Sequence, residues 1–208
     1  MKKVISILAA AVLMLTATNA FAQMSVGAGY LNATDKVGDN STNLNGLYLG
    51  ASYNIPISGG FAVAPGLYYS GLFKSGEILN TSILNTKVDS KLTEHFVNIP
   101  LNFNINFELA PDMTAFVYAG PTFQYGLSSK TKIEGSVAGY NGDKDFDNYG
   151  DNTNYSKTNV LLGGGVGMNV NSFQLTVGYD YGLLNLYTGN GDVQRHKSYV
   201  KLGVAYLF

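Results

Sequence analysis

Between Val97 and Phe107 the chain reads VNIPLNFNINF, with a large apolar residue at every odd position and asparagine at every even position but one. Strict alternation of this kind predicts a strand with two unlike faces. The pattern returns along the chain. It is carried by Val26, Ala28 and Tyr30, by Leu47 to Ile55, by Phe61 to Phe73, by Ala115 to Leu127, by Val160 to Met168, by Phe173 to Leu183 and by Val200 to Phe208. Eight strands of about ten or more residues are expected, longer than the ~5–6 usual in soluble sheets and suited to a tilted crossing of a bilayer.

The connections alternate as well. Those at 56–60, 108–113 and 169–172 are short, and those at 34–45, 74–94, 129–157 and 187–197 are long or polar. Gly38-Asp39 suits a two-residue turn that sets Val26 opposite Ala51 and Ala28 opposite Leu49. Asn190-Gly191 is the strongest turn signal, and predicts Phe173 opposite Phe208, Leu175 opposite Tyr206, Val177 opposite Val204 and Tyr179 opposite Leu202. The same register sets Asp180 against Lys201.

The distribution of charge separates a soluble sandwich from a membrane barrel. Nearly every charge outside the N-terminal segment falls in a loop, a turn or a strand end, and only Asp180 and Lys201 lie mid-strand. The polar face is Gly, Asn, Ser, Thr and Tyr, whereas a solvated face normally carries Lys and Glu. It reads as a confined lumen. The expected fold is therefore all-β: an eight-stranded antiparallel transmembrane up-and-down β-barrel with short periplasmic turns and long extracellular loops. Asn98, Asn102, Asn104 and Asn106 face the lumen, Asp180 and Lys201 form a charge pair there, and inward Tyr48, Tyr68, Phe116, Tyr118 and Tyr199 fill much of the rest. Phe61, Phe107, Phe173 and Phe208 form one aromatic belt, and Tyr30, Phe73, Tyr125 and Tyr181 the other. Pro65, Pro100 and Pro121 fall within strands, where bulges are expected.

The N-terminus reads as a signal peptide over residues 1–22, with Lys2 and Lys3, an apolar run and Ala20-Phe21-Ala22, leaving 23–208 as one barrel domain. The apolar run is short for a membrane anchor. Without Lys2 and Lys3, 11 basic residues face 14 acidic ones, a net charge of about −3 that argues against nucleic acid. There is no cysteine, hence no disulfide framework and no thiolate site.

The chain ends YVKLGVAYLF, with Leu202, Val204, Tyr206 and Phe208 at every second place. This resembles the C-terminal signature of bacterial outer-membrane barrels, and the whole pattern resembles the small OmpA/OmpX-type or "porin family" barrels. The resemblance implies location in the bacterial outer membrane and reading of Phe208, Tyr206, Val204 and Leu202 by the assembly machinery. It departs in having no Trp, so its girdles must be Tyr and Phe.

Candidate chemistry is sparse. Gly163, Gly165 and Gly167 in LLGGGVG lack the Lys-Ser/Thr of a phosphate loop and read as small lumen residues. Asp143, Asp145 and Asp147 are spaced like a calcium loop but lack its sixth-position Gly and twelfth-position Glu. His95 and His196, with Asp89, Ser90 and Glu94 or Asp192 and Ser198 nearby, form no diagnostic triad. No catalytic, cofactor or metal site is expected. Arg195, His196 and Lys197 make a basic step at the outer rim, suited to lipopolysaccharide phosphates together with Lys74, Lys130, Lys132 and Lys157. The expected partners are lipid, lipopolysaccharide, the assembly machinery and an extracellular partner meeting loops 74–94 and 129–157. The expected role is structural or loop-mediated and adhesion-like, with a mostly filled lumen. A narrow channel for small solutes is the alternative, and an outer-membrane enzyme ranks third.

Overall fold

A computed structural model describes residues 23–81, 86–137, 140–150, 153–189 and 193–208, so the expected signal peptide and the Asn190-Gly191 turn lie outside the described residues. Among the described residues the alternation becomes nine strands: β1 Gln23–Val37, β2 Asn40–Ser58, β3 Phe61–Thr81, β4 Thr86–Ala110, β5 Met113–Val137, β6 Tyr140–Asp147, β7 Thr158–Val170, β8 Phe173–Gly182 and β9 Arg195–Leu207. Eight of them close a ring in the order β4-β3-β2-β1-β9-β8-β7-β5, with β5 pairing back to β4. All neighbours are antiparallel.

β6 is outside the ring. The lower part of β5, Met113 to Tyr125, pairs with β7, and its upper part, Lys130 to Val137, pairs with β6. Much of what the sequence suggested as loops 34–45, 74–94 and 129–157 is thus strand. β3, β4 and β5 run 21, 25 and 25 residues, where ~9–11 cross a bilayer. Their surplus stands beyond the ring as a projecting sheet, β3-β4-β5-β6.

Period-2 chemistry sets the two faces. Ile99, Phe103 and Phe107 are 49%, 54% and 51% exposed on the outside of β4, while Asn104 is buried within. Both aromatic belts lie on the outer face, with Phe61, Phe107, Phe173 and Phe208 toward the short turns and Tyr30, Phe73, Tyr125 and Tyr181 toward the far end. The first hairpin has the expected register, Val26 to Ala51 and Ala28 to Leu49. Gly38 takes φ 57° at the first turn position, the conformation a type II′ turn demands there.

The last hairpin corrects the expectation. Phe173 pairs with Tyr206, Leu175 with Val204, Val177 with Leu202 and Tyr179 with Val200, two residues away from the register that a turn at Asn190-Gly191 required. β8 stops at Gly182, and beyond it Leu183 N–H donates to Val160 O and Leu186 N–H to Arg195 O, at 2.8 Å each. β9 is also held in register by its pairing with β1. A shift of two leaves every side chain on its own face.

The three mid-strand prolines also differ from expectation. The register runs unchanged past Pro65, Pro100 and Pro121, with the ladder merely interrupted on one side of each. The bulges fall instead at Pro56/Ser58, Glu77/Leu79, His95/Phe96 and Glu108/Ala110. Each proline lacks one N–H, and the pleat absorbs that loss without an extra residue.

Candidate functional site

The interior is built in layers. At the short-turn end, amides ring the lumen. Asn104 Nδ2 donates to Asn54 Oδ1 at 3.1 Å and Asn106 Nδ2 to Gly60 O at 3.0 Å. Higher up, Asn98 donates to Ser70 Oγ at 2.9 Å and accepts from Gln124 Nε2 at 2.8 Å. Asn102 lines the same cavity, which has a volume of about 130 Å³, enough for several waters. Inward aromatics break it up. Tyr48 and Tyr68 meet edge to face at 5.8 Å, and Phe116 lies 6.2 Å from Tyr118. The Tyr48 ring lies against Gly29 with its hydroxyl at Gly203, and the Tyr118 hydroxyl lies at Gly178, where any Cβ would collide.

Lys201 Nζ and Asp180 Oδ2 are 2.6 Å apart in this layer. They are not directly opposite: Lys201 pairs with Gly178, and Asp180 with Tyr199. The diagonal is within reach of a lysine's four-carbon stem. Gly163 gives the Asp180 carboxylate its space, so the glycine run serves packing.

Above the aromatics an apolar layer of Leu31, Ala33, Leu44, Leu72, Phe96, Leu161 and Tyr199 crosses the barrel. On it sits a cluster of four charges. Lys197 Nζ lies 2.5 Å from Glu94 Oε2 and 3.3 Å from Asp35 Oδ2, and the Lys197 and Glu94 side chains are both 0% exposed. Arg195 grips Asp35 with two donors, Nε at 2.9 Å and Nη2 at 2.6 Å. Ser129 Oγ donates to Glu94 Oε1 at 3.1 Å, and Tyr155 OH reaches the same oxygen at 3.3 Å. Burial, with Glu94 nearby, raises the Tyr155 pKa well above the ordinary phenol value, so its hydroxyl stays a donor. Arg195 stacks 4.1 Å over the Tyr155 ring. Two cations and two carboxylates balance, the condition for burying charge at tolerable cost.

This corrects the basic rim. Arg195 and Lys197 share the inward parity of Lys201 and point into the barrel, where acids hold them; only His196 of the three faces outward. It stacks 6.1 Å from Tyr181, with Nδ1 3.0 Å from Gly182 O. His95 stacks on Tyr69 at 5.8 Å, with Nδ1 2.6 Å from its hydroxyl. Both histidines extend the upper aromatic belt. The apolar alternation stops short of the acids Asp35 and Glu94, so hydrophobicity does not mark them as site residues; their parity is the available signal. Asp143 contacts Lys132 at 3.3 Å, and Asp147 Oδ1 accepts from Tyr149 N–H at 2.9 Å. Among the described residues no three His, Cys, Asp or Glu groups converge as a metal site. At the other end, Leu202, Val204, Tyr206 and Phe208 all face outward, and Phe208 N–H donates to Met24 O at 2.9 Å.

An apolar girdled wall around a polar interior is the design of a membrane barrel, and the outer membrane protein beta-barrel domain model matches residues 16–188. The chain belongs to that family. It is a protein of the bacterial outer membrane, with the short turns toward the periplasm and the projecting sheet outside. Among solved structures, this outer-membrane barrel is similar to Ail, the attachment invasion locus protein of Yersinia pestis, in complex with the heparin analogue sucrose octasulfate (16% identity, 91% of this chain and 100% of that one, TM-score 0.49). It is similar to Neisserial surface protein A (16% identity, 89% and 97%, TM-score 0.47). It is also similar to the outer membrane enzyme PagL (12% identity, 88% and 98%, TM-score 0.48). No curated protein matches the chain in sequence.

Proposed function

We propose that this barrel works as a sealed anchor that holds a projecting β-sheet outside the cell for contact with an extracellular partner, an adhesion-type role rather than a catalytic or conducting one. One observation carries the reading. β3, β4 and β5 continue without a break from the wall into the external sheet, whose last strand, β6, pairs on one side only among the described residues. Length beyond the membrane has no use in holding the barrel in lipid. A strand with a free edge offers backbone groups to a partner, and the charges of Asp143, Lys144, Asp145 and Asp147 on β6 restrict which partner can dock. The lumen supports the same reading, since its apolar layer and buried charges leave no wide path for solute. Lipopolysaccharide phosphates would meet the outer-face lysines at the sheet's base, Lys91, Lys130 and Lys132, rather than Arg195 and Lys197.

The test replaces residues 76–89 and 132–145 by short turns. Binding of intact cells to host cells or matrix-coated surfaces is expected to fall to background, with the heat-modifiable barrel still in the outer membrane. Purified wild-type protein is expected to give no large conductance steps in planar bilayers. Unchanged binding, or large stable steps, would overturn the reading.

A further inference from the structure

Asn102, Asn104 and Asn106 face inward at every second residue of β4, and successive rungs of this column stand about 7 Å apart. Asn106 is committed to Gly60 O. Asn104 is 8% exposed and uses only one end of its amide. Its Nδ2 donates to Asn54 Oδ1 at 3.1 Å, and its buried Oδ1 has no partner among the described residues. Asn102 lines the cavity, and no side-chain hydrogen bond holds it among the described residues. Buried amides normally have their groups met. This part of the lumen therefore carries hydrogen-bonding capacity that the barrel's own side chains leave unused.

The amides border a blind space. Its mouth, at the short-turn end, is lined by Gln23, Asn54, Asn106 and Asn169. Its inner end stops at Leu31, Leu161 and Tyr199 of the apolar layer. The mouth opens on the periplasmic side. Among the described residues Asp180 and Lys201 are the only charged side chains lining the cavity, and they hold each other at 2.6 Å. One acid, Glu108, stands at the mouth. An ion entering would find no unpaired countercharge to offset its lost hydration. Aromatic rings stand beside the amides: Tyr118 is the cross-strand neighbour of Asn104, and Phe116 that of Asn106. Neutral amides set next to rings suit a ligand rich in hydroxyls. Each hydroxyl both donates and accepts, as an amide does, and the rings cover the ligand's C–H surface. The volume of about 130 Å³ takes several waters, and so a monosaccharide or smaller polyol in their place.

We propose that this pocket binds a small neutral sugar or polyol from the periplasm, held by Asn102 and Asn104 with Tyr118 beside them. A ligand hydroxyl supplies the donor that Asn104 Oδ1 lacks, and a second hydroxyl reaches the next rung at Asn102. The site lies at the opposite end of the barrel from the projecting sheet, so it stands or fails separately from the adhesion role.

The test uses full-length, nitrogen-labelled protein in lipid nanodiscs, with D-glucose and glycerol as probes. The side-chain amide signals of Asn102 and Asn104, assigned from Asn102→Leu and Asn104→Leu, are expected to shift saturably in magnetic resonance spectra, with half-saturation at about 1–100 mM. Sodium phosphate and glycine at the same concentrations should leave them in place. Each leucine variant, followed at the remaining asparagine, should weaken glucose binding by about tenfold or more. Heat-modifiable migration shows that the barrel is intact, and if Asn104→Leu does not insert, Asn102→Leu carries the comparison. Because the chain has no cysteine, single thiols define the side of entry. Thr114→Cys, at the mouth, should abolish the shifts once capped with a bulky maleimide, and capped Asp39→Cys, at the far end, should not. No saturable shift with either probe means that the amides are merely hydrated, and overturns the proposal. An equal response to phosphate or glycine overturns the neutral ligand class. Undiminished binding in the leucine variants overturns the amide site, and binding blocked at Asp39→Cys but not at Thr114→Cys overturns entry from the periplasm.

Discussion

Lys197 on β9 and Glu94 on β4 meet across the barrel. Their strands are four places apart either way round the eight-membered ring, yet Nζ and Oε2 are 2.5 Å apart. The pair is a bolt through the lumen, with Asp35 and Arg195 balancing it and Phe96 packed 5.5 Å from the ammonium.

Removing one half of a buried pair strands the other, and typically costs about 3–5 kcal/mol, whereas removing both with apolar groups is far milder. Glu94→Leu and Lys197→Met are each expected to lower barrel stability by about that amount. Glu94→Leu with Lys197→Met should cost clearly less than the sum of the singles. Urea-midpoint shifts of the heat-modifiable band, arranged as a double-mutant cycle, measure this. Additive losses would show that the two side chains do not depend on each other.

Alternation made the barrel, its faces and the first hairpin legible, because period-2 chemistry is local and repeated in every strand. Asp35, Glu94 and Lys197 sit where apolar alternation fades into polar residues, so the hydrophobic pattern stops before reaching them. A barrel wall rising above the lipid needs no apolar outer face, and its continuation is invisible to hydrophobicity. Lys197 has the parity of Lys201, and Asp35 that of Leu31 and Ala33; parity extended past the apolar run would have placed both inside. Their partner Glu94 belongs to a strand 103 residues away from Lys197 in sequence, and no local pattern encodes that meeting. The Asp180–Lys201 contact survived a register error because a shift of two keeps both side chains inward and a lysine is long enough to span the diagonal.

The end of the chain gives an assembly prediction. Phe208 is 72% exposed, and its ring meets Tyr206 at 5.0 Å. Deleting Phe208 is expected to leave export intact and to impair insertion. The truncated protein should accumulate in the periplasm and lose its heat-modifiable migration in outer-membrane fractions. Normal amounts of folded protein in those fractions would remove Phe208 from any role in assembly.

The projecting sheet should respond to pH and salt independently of the barrel. Lys91 contacts Glu134 at 2.8 Å, and Lys132 contacts Glu134 at 3.1 Å and Asp143 at 3.3 Å. These lysines lower the Glu134 pKa from its ordinary 4.5. A carboxylate with a folded value below its unfolded one stabilises the fold above the unfolded value and loses that contribution as pH falls through the folded one. The hairpin is therefore expected to loosen below about pH 4.5, and also in high salt at neutral pH, since exposed pairs are screened. Amide hydrogen exchange across 89–91 and 130–134 should accelerate in both conditions while exchange across 97–107 stays slow. Equal acceleration in the two regions would tie the sheet's stability to the barrel instead.

The inward aromatics make the most direct packing prediction. The Tyr48 hydroxyl lies where a side chain on Gly203 would begin, with Thr176 Oγ1 2.8 Å from the same point. Gly203→Ala must push the phenol aside into a space already occupied by Tyr68, and overpacking of this kind typically costs ~1–3 kcal/mol. Tyr48→Phe deletes the colliding oxygen and leaves the ring in contact with Tyr68. Placed on Gly203→Ala, it should recover a large part of the loss, although alone it forfeits the hydroxyl's interaction with Thr176 and destabilises slightly. The double variant is then more stable than Gly203→Ala by urea denaturation. If Tyr48→Phe lowers stability equally in both backgrounds, the phenol swings freely in open water, and the lumen is roomier than its side chains make it here.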